Sequence, residues 1–150
     1  VDNVLLPGWL DQTIVDVCAS YNRLRTFVRM LRLVGFDSML AGPGPFTVLA
    51  PTDRAFQRFL AAIRRSTSDL VALEQRFGTV TNLLRYHLFD GIIDRERLMT
   101  GPTLITKYGY RVQCEVSQNG VLSINGARFV VTDIVAANGI VHIIDTVSLP

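Results

Sequence analysis

Apolar positions recur every three to four residues through the first half of the chain and every second residue through much of the second half. From Asp11, able to cap a helix, Ile14, Val17, Cys18 and Tyr21 fall on one helical face. Leu24, Phe27, Val28, Leu31 and Val34 make a second stripe, with Arg25, Arg29 and Arg32 opposite it and Gly35 as its stop. Gly42-Pro43-Gly44-Pro45 reads as a stiff turn feeding a short strand, Phe46 to Ala50, which Pro51 ends. Thr52 can then cap a helix, Asp53 suits its positive end, and Phe56, Phe59, Leu60 and Ile63 supply its buried face. Further helices are predicted from Asp69 to Phe77 and from Thr79 to His87, the last with Val80, Leu83, Leu84 and His87 on one face.

After Asp90-Gly91 the period changes. Tyr110, Val112, Cys114 and Val116 point one way, and Arg111, Gln113, Glu115 and Ser117 the other, as in a half-buried strand. Asn119-Gly120, Asn125-Gly126 and Asn138-Gly139 each offer the positive φ angles of tight hairpin turns, so a β-meander is expected. Its last run, Ile140 to Val147, is apolar on both faces, as in a central strand covered on each side. Helices first and strands afterwards define an α+β class, not the regular alternation of a parallel α/β sheet. Without a linker or an internal repeat, residues 1–150 read as one domain.

Apolar residues make up 49% of the chain and mean hydropathy is +0.30, yet no uncharged apolar run comes near the roughly 20 residues that span a bilayer. The apolar content therefore goes into a core. The start, Val1-Asp2-Asn3-Val4, has neither the charged nor the apolar region of a signal peptide, so an export signal would already have been removed. A net charge of +2, with basic and acidic residues spread along the chain, is no nucleic-acid footprint. Arg25, Arg29 and Arg32 form either a solvated outer face or a contact for an acidic partner. The two cysteines, Cys18 and Cys114, both point inward and are two buried thiols or one bridge.

Catalysis finds little to work with. His87 and His142 are the only histidines, and both sit in apolar runs. His142 and Asp145 are three apart in a strand, hence on opposite faces. There is no nucleophile elbow, phosphate loop or metal-binding histidine pair, so neither an enzyme, a cofactor nor a metal is expected.

Phe46-Thr47-Val48-Leu49-Ala50-Pro51-Thr52-Asp53-Arg54-Ala55-Phe56 resembles the first conserved box of fasciclin-type (FAS1) domains, in which a strand runs into a Thr-Asp helix start. Asn138-Gly139-Ile140-Val141-His142-Ile143-Ile144-Asp145-Thr146-Val147-Ser148-Leu149-Pro150 is similar to the second box, and Leu84 to Gly91 to the family's Tyr-His segment. Together they cover nearly the whole chain from Thr13. The resemblance implies a wedge of two small β-sheets flanked by several helices, with Thr47, Pro51, Thr52, Asp53, Phe56, His142 and Asp145 as structural motif residues. It also implies an extracellular, surface-anchored or envelope module for adhesion or matrix attachment. Matrix or cell-surface proteins, polysaccharides or copies of the domain would be its partners. Asp133-Ile134 and Tyr86-His87 match segments proposed as adhesion contacts in animal members. Beside that stands a structural role for each: Ile134 in the core, Asp133 bonding backbone at a strand end, and His87 buried. A different function class, a carrier with an apolar pocket between sheet and helices, is the alternative.

Overall fold

The structure is a computed structural model that describes residues 12–147; Asp11 and the closing Ser148-Leu149-Pro150 lie outside the described residues. The helices are α1 (Ile14–Ala19), α2 (Arg25–Val34), α3 (Phe36–Leu40), α4 (Asp53–Ala62), α5 (Leu70–Phe77), α6 (Thr79–Arg85) and α7 (Arg95–Leu98). The strands are β1 (Phe46–Pro51), β2 (Leu88–Asp90), β3 (Thr103–Ile105), β4 (Arg111–Val116), β5 (Leu122–Ile124), β6 (Ala127–Ala136) and β7 (Gly139–Ile144). Thr13 holds the cap position of α1, its N–H donating to the Asp16 carboxylate at 3.2 Å. Gly35 closes α2 in the left-handed conformation, and the Thr52 hydroxyl accepts from Ala55 N at 3.2 Å to start α4. Ile63 does not join the buried face of α4: it lies past the last helical turn and is 44% exposed. The helix predicted to reach His87 stops at Arg85.

The strands hydrogen-bond in one order, β2-β1-β7-β6-β5-β4-β3, in place of the two small sheets expected. The meander from β3 to β7 is antiparallel throughout, whereas β1 and β7 pair in parallel from Phe46↔Gly139 to Pro51↔Ile144. The sheet curls until its ends meet. Lys107 N, in the β3–β4 turn, donates to Leu88 O of β2 at 2.8 Å, and Tyr86 stacks on Tyr110 with ring centroids 4.4 Å apart.

Two apolar cores result. The helices cover one face of the sheet, where Ile14, Phe27 and Phe56 pack with Val48, Ala50, Val141 and Ile143. Inside the curl, Leu49 and Ile144 meet Phe89, Leu104, Val112 and Ile124. Strand periodicity sorts the residues: in β1 and β7 alternate side chains enter opposite cores, so β7 is buried along its length. Cys18 lies in the first core and Cys114 in the second, and both are free thiols. Burial pushes Cys18 up to about 12 and Cys114 to about 11.

Side chains of the two boxes stitch the layers. Asp53 accepts from Thr26 N at 2.7 Å and so ties the start of α2 to the start of α4. Asn138 is buried; its amide donates to Leu40 O and Gly42 O while its Oδ1 accepts from Ile14 N at 2.9 Å. Among the Asn-Gly pairs, Asn125-Gly126 takes the predicted positive φ at both residues, but neither Asn138 nor Gly139 does. Gly139 serves closeness instead. A Cβ there would stand inside the Phe46 carbonyl oxygen and 2.7 Å from Ile14 Cδ1. His87 is 1% exposed and donates from Nδ1 to Leu83 O at 2.7 Å; burial pushes its imidazole down to about 4, with that hydrogen bond acting the other way.

Three predictions follow from this packing. Gly139→Ala should cost on the order of 3 kcal/mol or more, against about 1–2 kcal/mol for Gly126→Ala, whose site is open but left-handed. Chemical denaturation of both variants checks the order, and equal losses would refute the close-approach account. An unfolded imidazole protonates near 6.5 and folded His87 near 4, so the unfolded state binds more protons across that window. Stability should therefore fall as the pH drops from about 6.5 towards 4, by on the order of 3 kcal/mol from this group. An NMR titration of the folded His87 ring with a midpoint near 6.5 would contradict it. Finally, a thiol reagent should label neither cysteine in the native protein and both after unfolding without reductant; mass spectrometry counts the adducts.

Candidate functional site

The loop between β2 and α7 is held at nearly every residue. Thr47, buried in β1, donates its hydroxyl to Gly91 O at 2.7 Å and accepts from Ile93 N at 2.9 Å. His142, fully buried in β7, donates from Nε2 to Ile93 O at 2.6 Å. Its Nδ1 accepts from Asp133 N at 3.1 Å, which fixes the neutral Nε2–H tautomer. Burial lowers the His142 pKa, and the Ile93 bond and the Asp133 carboxylate, 4.0 Å from Nδ1, act against it. Asp133 completes the clamp: Oδ1 accepts from Arg95 N, the first residue of α7, at 2.8 Å. Each such bond contributes about 0.5–1.5 kcal/mol net, and their sum makes the loop a rigid mount.

Asp133 reaches this position through a distortion of β6. Register against β7 shifts between Val131 and Ile134, and Asp133 takes a left-handed φ of 58°. Asp is among the few non-glycine types that tolerate it, and the bulge re-aims the flanking side chains. Asp133 therefore sits within a strand and not at its end, and bonds backbone from another segment. Ile134 is half-buried against the helix-side core.

With the loop fixed, Ile92 has one direction left. Ile93 fills the inner core, and Ile92 is 47% exposed beside Val135, itself 43% exposed. Pro43, Pro45, Ile92 and Val135 line a surface hollow of about 320 Å³. Val135 also borders a second hollow, of about 350 Å³, with Tyr21, Asp133 and Ile134. Val135 is thus the residue shared by the two hollows, with Asp133 and Ile134 bordering the second. Periodicity misses Ile92 and Val135, although the pair Ile92-Ile93 after Gly91 carries a trace of it: in extended chain, neighbours face opposite ways.

The other expected site residues lie apart from this face. Tyr86 is half-buried at the seam of the curled sheet, and His87 is inside. Arg25, Arg29 and Arg32 are exposed on α2, where Arg29 and Arg32 border a shallow groove with Met30, Leu33, Leu70 and Val71. Both histidines are shut away from solvent. Asp145 accepts from Arg128 N at 2.9 Å, and His142 bonds Ile93 and Asp133. Among the described residues no three of His, Cys, Asp and Glu converge on one point, and no helix is long and apolar enough to cross a membrane.

Residues 22–150 match the model of the Fasciclin domain. Protein sll1483 of Synechocystis is 31% identical over 138 residues, covering 92% of this chain and 73% of that protein. Human Stabilin-1 is 32% identical over 149 residues, 96% of this chain, but the match takes up only 6% of the relative. A solved FAS1 domain pair from the insect cell adhesion molecule Fasciclin I superposes with a TM-score of 0.76 at 18% identity, over 93% of this chain and 51% of that one. The parallel β1–β7 pair built from both boxes, the family match and the shared fold agree, and the chain belongs to the fasciclin domain family.

Proposed function

We propose that residues 1–150 form one non-catalytic binding module, extracellular or held in an envelope, that attaches cells or surfaces to a protein partner. The carrying observation is the Ile92–Val135 face, an exposed apolar surface made by Ile92, on a loop immobilised by Thr47, His142 and Asp133, and by Val135 on β6. A preorganised apolar patch rimmed by polar groups loses little conformational entropy on binding, and a few anchors in such a patch dominate the affinity. Ile92 and Val135 are the anchors, and Asp133 supplies the charged contact at the edge. The exposed stripe of Arg25, Arg29 and Arg32 is a second, weaker contact for an acidic partner. A carrier is less well supported: the space between sheet and helices, where its pocket would lie, is filled by Ile14, Phe27, Phe56 and Val141.

The paired change Ile92→Ser and Val135→Ser tests this reading. Both side chains are exposed, so stability should change by about 0.5 kcal/mol or less per site. Attachment of cells or matrix protein to the immobilised domain should fall by about tenfold or more. Unchanged attachment by a folded double variant would remove this face as the site.

A further inference from the structure

We propose that the groove at the start of α4 is a separate binding site for an acidic oligosaccharide. It lies between the turn at residues 22–24, the first turns of α4, Val130 of β6 and Asp145 just after β7, an open groove of about 620 Å³. That is within the roughly 300–1,000 Å³ of small-ligand sites. Arg23, Arg54 and Arg58 line it, and all three are exposed. Arg54 and Arg58 are four apart and share a helix face. Arg23 is brought to them because Asp53 grips Thr26 N, which seats the turn before α2 against α4. Among the described residues no arginine has a carboxylate oxygen within 4.0 Å, so these guanidinium forks are open to an external anion.

The remaining lining selects the kind of anion. Asp53 accepts from Thr26 N, Asp145 Oδ1 from Arg128 N and the Thr146 hydroxyl, and the second carboxylate oxygen of each remains as an acceptor at the groove they line. A run of glutamates would set further carboxylates against these two and bring no hydroxyl to donate to them. A sugar chain uses both signs: its hydroxyls donate to the aspartates while its carboxylate or sulfate groups take the arginines. Val130, 45% exposed at the groove wall, offers an apolar contact for the C–H face of a ring. The site shares no lining residue with the Ile92–Val135 face, so either can fail without the other.

Calorimetry on the full chain tests it with four probes: a heparin-derived tetrasaccharide, a tetragalacturonate, neutral maltotetraose and a short poly-glutamate. Saturable, salt-sensitive binding of at least one acidic sugar is expected, with the preferred one identifying the anion as sulfate or carboxylate, and no measurable binding of the other two probes. The triple change Arg23→Ala, Arg54→Ala and Arg58→Ala should weaken it by about tenfold or more, while Arg65→Ala, Arg76→Ala and Arg111→Ala together, all exposed outside both faces, should not. Amide shift mapping on the unmutated protein, centred on residues 23, 54, 58 and 145, supplies an independent reading should the triple variant fail to fold. The proposal is overturned if neither acidic sugar binds, if poly-glutamate or maltotetraose binds as tightly, if both arginine triples lose binding alike, or if the shifts map elsewhere.

Discussion

The parallel ladder between β1 and β7 is the constraint on which the other parts rest. It brings Phe46 to Pro51 against Gly139 to Ile144, segments about ninety residues apart, and places both inside the strand order, between β2 and β6. β2 and β6 add to its outer edges, the helices pack on one side and the curled meander encloses the other. The ladder begins at a point of very close backbone contact, where Phe46 N donates to Asn138 O at 3.0 Å and Gly139 lies against the Phe46 carbonyl. Parallel strands with no short connection need such a fixed starting register, because a one-residue slip would exchange the contents of the two cores.

Most of this is legible in the sequence wherever a pattern is local. The α2 stripe, the Thr52 cap, the alternation of β4 and the two-sided burial of β7 all follow from period and residue type. What escapes is pairing at a distance. Asn138-Gly139 has the composition of a hairpin turn, yet its purpose is set by Ile14, Leu40, Gly42 and Phe46, which no local window contains. Asp53 looks like a residue serving its own helix and instead serves the next layer, on α2. The single sheet, in place of two, depends on β6 pairing with both β5 and β7, and its curl on the Lys107–Leu88 closure, again contacts without a sequence pattern.

The same division separates the motif from the sites. Thr47 and His142 are buried and act on the loop at residues 91–95 from behind. They hold the platform, and the exposed Ile92 on it is not among the residues that hold it. Asp53 and Asp145 hold backbone at the second groove in a comparable way, with arginines at its surface. A family of this construction can keep one scaffold and change its ligands by substitution at a few outward positions, consistent with function residing in sites carried on a fold.

The placement of β7 also bears on how the domain comes into being during synthesis. The strand that pairs with both β1 and β6 is the last strand made, so a growing chain that has already released β1 and the entire meander up to β6 still lacks the ladder between them. Until residues 139–144 emerge, the edges of β1 and β6 stay unpaired and apolar surface stays open, a state prone to association with neighbouring chains. Completion of the sheet is thus a late event, and a chain interrupted before residue 139 would carry two strand edges with no partner to fill the gap between them.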